Sequence, residues 1–170
     1  DRALELLTEA AADQTHANAM CTLALYYQES ISGNVSKAHF LLHAAAMLDH
    51  PHALFEQGYW HATRISESNE DRAVRNNLSM ALWYFEKAAA LNHDIARVNL
   101  GYLYLCGLGG LMDDENLAVS YFQAAADRKN PVGMYKLAYC YQQGVGGVKD
   151  LKKAAELFRE AALLGHAKAQ

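Results

Sequence analysis

Residues 81–110 read ALWYFEKAAALNHDIARVNLGYLYLCGLGG, and this stretch decides the fold. The apolar positions of its first part stand at offsets 0, +3, +4, +7 and +8 from the first alanine, and are Ala81, Tyr84, Phe85, Ala88 and Ala89. These offsets fall on one face of an α-helix. The sequence therefore predicts a helix with one apolar face, here called helix A.

The same pattern occurs five times along the chain. Its anchor residues, spaced 35, 43, 37 and 36 residues apart, are Ala3, Ala38, Ala81, Ala118 and Ala154. Each anchor is followed by leucine or tyrosine at +3, by leucine or phenylalanine at +4, and by an alanine pair at +7 and +8. A period of this length is typical of stacked helical hairpins. Four of the anchors are preceded at −4 by a residue type that favours the helix N-cap, namely Asn34, Asn77, Asp114 and Asp150.

A second helix, helix B, is predicted after helix A in each complete repeat. Pro51 and Pro131 stand at offset +13, where proline suits the first turn of a helix. A small residue follows at +20 (one place later in the first repeat), and the set is Ala24, Gly58, Gly101 and Ala138. Glycine inside a helix costs about 1 kcal/mol, so packing must recover that cost. We expect a close crossing of helices A and B, with the alanine pairs opposite the small residues.

Helix B is predicted to end at Gly107 in the third repeat and at Gly144 in the fourth, as left-handed residues. The second repeat lacks these glycines and has the polar stretch 64–77 instead. We expect that stretch to be a loop, where repeat arrays accept insertions.

Two stretches resemble the Sel-1-like repeat family: residues 81–110, quoted above, and residues 118–150, which read AVSYFQAAADRKNPVGMYKLAYCYQQGVGGVKD. The opening of another such unit is resembled by residues 154–170, AAELFREAALLGHAKAQ. The resemblance implies an all-α fold, a right-handed α–α superhelix of about 4.5 helix-pair repeats. It gives a single domain, 1–170, with approximate repeats 1–35, 36–78, 79–115, 116–151 and a partial unit 152–170. Because that last unit stops after helix A, we expect the chain to come from a longer protein.

The family resemblance also implies an adaptor that assembles protein complexes, as in endoplasmic-reticulum quality control, bacterial envelopes or host–pathogen contact. In related solenoids helix A lines the concave face, so its offsets +2 and +5, which vary between repeats, are predicted to bind a partner. The candidate residues are Phe40, His43, Trp83, Glu86, Ser120, Gln123, Glu156 and Arg159. Phe40 and Trp83 are the best anchors, because aromatic residues are enriched in binding hot spots. Trp83 has an equally good alternative role, covering a groove between repeats.

Histidines offer a weaker, metal-dependent alternative. His39 and His43 stand at i and i+4, a spacing that suits zinc, but no third ligand accompanies them. We predict solvated helix histidines and no metal. His50, His93 and His166 share offset +12, between helices A and B, and we interpret that recurrence as turn chemistry.

Other function classes lack their sequence signals. No basic stripe favours nucleic acid in a chain of net charge −4, and no apolar run approaches the roughly 18 residues of a membrane span. The glycine stretches lack the Lys-Ser/Thr pair of a phosphate loop, and no residue spacing indicates a catalytic triad. We predict a non-enzymatic chain without catalytic residues, cofactor, small-molecule substrate or membrane insertion.

Three questions stay open at this level. Cys21, Cys106 and Cys140 are predicted to be buried and unpaired, which slightly favours an intracellular compartment over a secretory or envelope one. Asn34 and Asn77 also begin Asn-X-Ser glycosylation sequences, although a cap explains both without sugar. The main functional alternative to a protein-binding scaffold is a structural spacer in a larger multidomain or membrane-complex protein.

Overall fold

The computed structural model describes residues 2–12, 16–29, 34–64, 71–108, 113–147 and 149–165. Within these ranges every regular element is helical, as predicted. The elements are α1 (Arg2–Ala12), α2 (Ala17–Glu29), α3 (Val35–Met47), α4 (Pro51–Thr63), α5 (Asp71–Ala90), α6 (Asp94–Leu105), α7 (Glu115–Asp127), α8 (Pro131–Gln143), a 3-10 turn (Val145–Gly147) and α9 (Leu151–Leu163). Odd-numbered helices are helix A of their repeat, and even-numbered helices are helix B.

Each helix packs against the next one along the chain, and the more extensive contact joins a helix B to the helix A that follows it. Helices α6 and α8, the B helices of consecutive repeats, also touch. Such nearest-neighbour stacking is what defines a solenoid. In the described part of the chain, no helix has the length and apolarity that crossing a bilayer requires.

Three of the predicted helix-A caps are confirmed. Asn34 accepts a hydrogen bond from the amide of Lys37 at 3.0 Å, and Asp114 accepts one from the amide of Leu117 at 2.9 Å. Asp150 caps α9 in the same way. Each side-chain oxygen satisfies an amide of the first turn that has no partner inside the helix.

The fourth predicted cap, Asn77, is wrong. Helix α5 begins at Asp71, so Asn77 lies inside it, and the second half of the stretch predicted as a loop is helical. Val74 packs against the core one turn before the buried Leu78, which gives these residues an apolar face to bury. Asn77 instead faces helix α4, with its Oδ1 3.5 Å from Nδ1 of His61.

Turn chemistry explains the recurring histidines between helices A and B, as expected. Nδ1 of His50 accepts a hydrogen bond from the Ala53 amide, and Nδ1 of His93 accepts one from the Ala96 amide, both at 3.2 Å. Asn130 caps α8 at the equivalent place. Pro51 and Pro131 occupy the first turns of their helices. His166 lies outside the described residues.

Both glycines predicted to end helix B adopt left-handed backbone angles, with φ of 60° at Gly107 and 80° at Gly144. Amino acids with a β-carbon rarely take this conformation, so glycine is favoured at both positions.

The small residues of helix B face a different neighbour from the one predicted. Gly58 and Gly101 lie against phenylalanines of the next repeat, Phe85 and Phe122, and not against the alanine pair of their own repeat. A Cβ built on Gly58 would be 2.7 Å from the Phe85 ring. The alanine pair of α7 is instead approached by Gly133, at the start of α8. The missing side chain of the helix-B glycine leaves space for the phenylalanine ring of the next repeat.

The predicted helix phase is confirmed at the core, where Phe85 is 2% exposed and Phe122 is fully buried. Phe158, their counterpart in α9, is half-buried and lies 5.4 Å from the Tyr135 ring. Cys21 and Cys140 are buried, and burial raises the pKa of each thiol to about 11. Cys106 is exposed, contrary to the prediction, because it stands just after the last turn of α6.

Candidate partner-binding surface

An aromatic contact recurs between helix B at offset +23 and the following helix A at +3. The His61 ring stacks on Tyr84 with centroids 5.6 Å apart, and the Tyr104 ring stacks on Tyr121 at 5.7 Å. Both pairs are nearly parallel, at 18° and 16°. This contact lies beside the predicted binding offsets and shapes the surface around them.

Leucine replaces the second ring of this contact at the two ends of the array, at Leu41 and Leu157. A lysine then covers the remaining tyrosine. The ammonium of Lys37 lies 4.9 Å from the Tyr27 ring centre, and that of Lys153 lies 5.5 Å from the Tyr141 ring centre. Cation–π contacts of this kind stabilise partly exposed rings.

Equivalent clefts open at these two leucine positions. The α1–α3 cleft has a volume of about 240 Å³ and is lined by Thr8, Ala11, Ala12, Met20, Leu23, Lys37, Phe40, Leu41 and Ala44. The α7–α9 cleft has a volume of about 320 Å³ and is lined by Gln123, Leu137, Tyr141, Lys153, Glu156, Leu157 and Glu160. At the equivalent positions between these two, the rings of Tyr84 and Tyr121 stack on the preceding helix B.

Two candidate residues predicted from different repeats meet in the α7–α9 cleft, namely Gln123 and Glu156. Gln123 is half-buried, not fully exposed as its offset suggested, and its amide donates a hydrogen bond to Asp127 at 2.7 Å. The α7–α9 cleft is therefore more polar and more charged than the α1–α3 cleft, whose lining is mostly apolar.

Phe40 and His43 contribute to a third and larger cavity, the α3–α4 cleft, with a volume of about 560 Å³. Its lining residues are Val35, Ser36, His39, Phe40, His43, Trp60 and Arg64. Sequence reasoning missed Trp60 and Arg64, because both lie at the C-terminal end of helix B. An aromatic residue followed four positions later by arginine, on the same helical face, was the available signal.

Contacts inside the α3–α4 cleft centre on Trp60. Its ring meets the His39 ring edge-on with centroids 4.2 Å apart, and the guanidinium carbon of Arg64 lies 4.6 Å from its centre. Burial lowers the pKa of His39, although a backbone hydrogen bond and two nearby positive groups also act on it. The Nε2 atom of His39 is buried and has no hydrogen-bond partner within the described residues.

The other four candidates lie outside these three clefts. Trp83 is 44% exposed, with the Lys87 ammonium 4.6 Å from its ring centre. Glu86 is exposed beside the stacked tyrosines; burial raises the pKa of Tyr104, and the Glu86 carboxylate adds to that shift. The hydroxyl of Ser120 donates to the carbonyl of Leu117 at 2.7 Å. Arg159 is exposed on α9.

The histidine pair singled out for zinc does not gain a third ligand. Over the described ranges, no group of three or more histidine, cysteine, aspartate or glutamate side chains is arranged to hold a metal ion. His39 is turned toward Trp60, whereas His43 is exposed on the rim of the α3–α4 cleft.

Comparisons with known proteins now connect these features to a family. The Sel1 repeat model matches residues 17–50, 51–93, 95–130 and 131–166, which is most of the chain. Each matched unit covers a helix B and the helix A after it, the pair that packs most extensively. Among curated proteins, none is significantly similar to this chain.

Solved structures share the fold. A protective antigen present in uropathogenic Escherichia coli strains, with an SLR fold, superposes with a TM-score of 0.80 at 24% identity over 98% of this chain and 34% of its own. A Sel1 repeat protein from Oxalobacter formigenes has a TM-score of 0.79 at 28% identity, over 93% and 61%. Cysteine rich protein B of Helicobacter pylori has a TM-score of 0.51 at 24% identity, over 70% and 93%.

This chain therefore spans about a third of the length of the first of these proteins and 61% of the second. The likenesses at 24% identity concern the fold alone, which is the predicted helical solenoid. With four matched repeats and the stacked helix pairs seen in these structures, the chain belongs to the Sel1 repeat family.

Proposed function

We propose that this chain is a scaffold that binds a partner protein along the face formed by helices α1, α3, α5, α7 and α9, the concave face in related solenoids. Sel1 repeat proteins are commonly protein-interaction scaffolds. One observation carries the proposal: at offsets +2 and +5 of these helices, which differ between repeats, the side chains face solvent or clefts, whereas the repeated positions of α3, α5 and α7 pack in or against the core. A variable surface on a constant frame is suited to selective binding.

Two exposed aromatic side chains support this choice of face. Phe40 is 65% exposed and Trp83 is 44% exposed, and both stand at offset +2 of a helix A. Large aromatic side chains in contact with water gain free energy when a partner covers them, and tryptophan is among the residue types that most often dominate a protein interface. We therefore assign them the anchoring roles.

The remaining candidates supply polar groups around these anchors. Along the same face they present both signs of charge and neutral hydrogen-bonding groups, and they are His43, Glu86, Ser120, Gln123, Glu156 and Arg159. Polar groups of this kind add more to specificity than to affinity, because each exchanges hydrogen bonds with water for hydrogen bonds with the partner.

The test begins with affinity capture on the full chain and continues with titration of one purified partner. Trp83→Ala should weaken binding by more than about 1 kcal/mol, because hot-spot truncations typically exceed that value. Its effect on stability should be small, since the side chain is exposed. The matched control is Tyr139→Ala, which removes a ring of similar exposure, 45%, from helix B.

Partner affinity that falls with Trp83→Ala and Phe40→Ala but not with Tyr139→Ala supports the proposed face. Affinity lost only with Tyr139→Ala places the partner on the other side of the array. If no captured protein responds to any of the three variants, the chain acts as a spacer and the proposal is wrong.

A further inference from the structure

The α3–α4 cleft has a charge opposite in sign to that of the whole chain. Among the described residues that line it, Arg64 carries the one permanent charge and none is a carboxylate. Helix α3 contains Lys37 and no acidic residue, whereas the chain as a whole carries −4. Within the described part of the chain, Arg64 pairs with no carboxylate; its guanidinium lies over Trp60. The nearby Glu56 faces another histidine, with Oε1 3.7 Å from Nε2 of His52.

The same cleft offers apolar and hydrogen-bonding groups together. Phe40 on α3 and Trp60 on α4 provide aromatic surface, and most of the Phe40 side chain is in contact with solvent. His39 also lines the cleft, and its Nε2 is buried without a partner among the described residues. Buried polar atoms are rarely unpaired in native proteins. Because this atom has almost no accessible surface, the charged donors that a ligand reaches in the cleft are those of Arg64.

We propose that the α3–α4 cleft docks a short acidic segment of a partner protein, in which a carboxylate stands next to a bulky apolar side chain. The apolar side chain packs on Phe40 and Trp60, and the carboxylate accepts hydrogen bonds from the Arg64 guanidinium. This inference rests on the proposed scaffold function and adds the chemistry of the partner to it.

Charge complementarity is the argument for an acidic occupant. Guanidinium–carboxylate hydrogen bonds are short, charge-assisted and directional. Much of the chain repels an acidic segment because its net charge is −4. Attraction is therefore concentrated at the cleft, where Arg64 is the permanent cation among the described lining residues. Opposite charges arranged in this way determine the orientation and the specificity of docking.

The experiment uses a displayed library of random dodecapeptides, selected on the full chain at low ionic strength. We expect the selected peptides to be enriched in aspartate and glutamate beside an aromatic residue or leucine. One of them is then titrated by fluorescence anisotropy, together with its Asn/Gln counterpart. The counterpart should bind about tenfold more weakly or worse, and added salt should weaken the acidic peptide.

Variants locate the site. Arg64→Gln and Phe40→Ser should each weaken the acidic peptide by about tenfold, whereas Arg64→Lys, which keeps the charge without the planar fork, should fall between Arg64→Gln and the parent chain. Lys152→Gln, which removes an exposed cation from α9, is the matched control and should leave affinity unchanged. Equal thermal midpoints show that the variants fold, and the imidazole signals of His39 should shift when the peptide binds.

Three results would overturn this inference. The first is equal binding of the Asn/Gln counterpart, and the second is full affinity in Arg64→Gln. The third is displacement of the peptide by heparin or single-stranded DNA as effectively as by the acidic peptide itself, which would show that charge alone is recognised. Loss of binding in Phe40→Ser with full affinity in Arg64→Gln leaves the scaffold function standing and rejects only the acidic partner.

Discussion

The ring of Phe122 occupies the space that a side chain on Gly101 would need, because a Cβ placed on Gly101 would lie 2.6 Å from the Cε1 atom of that ring. The two residues belong to consecutive repeats, Gly101 to α6 and Phe122 to α7. The packing between these two repeats thus depends on the absence of a side chain at Gly101 and on the ring of Phe122.

Gly101→Ala should therefore destabilise the fold by about 1–3 kcal/mol, as overpacking of a core does. Alanine is the better helix former by about 1 kcal/mol, so isolated helix propensity predicts the opposite sign. Urea denaturation measures the difference. Adding Phe122→Leu should recover part of the loss; strictly additive losses in the double variant would show that the two side chains do not compete for this space.

Stability should fall as the pH drops from about 6.5 toward about 4. His93 can cap α6 only while its Nδ1 is unprotonated, and burial, followed by the charge of His52, lowers the pKa of His93 from 6.5 to about 4. Burial also lowers the pKa of His50. In this window the unfolded chain binds more protons than the folded chain, so acid favours unfolding.

The variant that isolates this effect is His93→Asn, because Asn130 already performs the same capping role at α8. Its stability at pH 7.5 should match that of the parent chain within about 1 kcal/mol, and the loss between pH 7.5 and pH 5 should be smaller. Denaturation curves at both pH values give the comparison. An unchanged loss on acidification would assign the pH dependence to other groups.

Asp114→Ala should cost about 1 kcal/mol, since it removes the side chain that caps α7. Asn77→Ala, at the equivalent offset, should cost less than about 0.5 kcal/mol, because that residue lies inside α5 and its contact with His61 is long. Thermal or urea unfolding of both variants measures the two losses of stability, which can then be compared. Equal costs would mean that helix A of the third repeat begins at Asn77 after all.

Phe122→Ala should destabilise by about 3–5 kcal/mol, the usual cost of removing a fully buried ring. Among the described residues, the side chain of its neighbour Gln123 makes one exposed hydrogen bond, to Asp127, so Gln123→Ala should cost under about 0.5 kcal/mol. Phe158→Ala should cost less than half as much as Phe122→Ala, because Phe158 is half-buried. Urea titrations measure the free energy of unfolding of the three variants. Equal losses of stability would contradict the predicted helix phase.

Local rules predicted most of the fold. The offsets of the alanines and phenylalanines identified the buried face of helix A, and the residue types at −4 identified three of its caps. Asn77 was misassigned because a cap residue was weighted above Val74, which stands four positions before Leu78 and continues the apolar face of the helix. Periodicity also cannot show whether Gly101 faces its own repeat or the next one, since both neighbours offer apolar residues.

The sequence predicted which candidate residues share a helix face, but not the clefts between them. Sequence offsets placed Phe40, Gln123 and Glu156 on one face, and the structure brings two of them into one cleft. The clefts themselves depend on which side chain of the next helix lies opposite, a relation that a single repeat does not contain. Trp60 and Arg64 were missed because they lie at the C-terminal end of helix B, outside the helix-A offsets from which the candidates were predicted.

The choice between leucine and tyrosine at offset +3 has a consequence for valency. Leu41 and Leu157 each border an open groove, whereas Tyr84 and Tyr121 at the same offset stack a ring on the preceding helix B, and the alanine frame stays the same. Under the proposed scaffold function, the number and spacing of such grooves can thus change one substitution at a time without rebuilding the array. A ligand that engages both open grooves gains effective concentration from its tether and loses that gain when either groove closes.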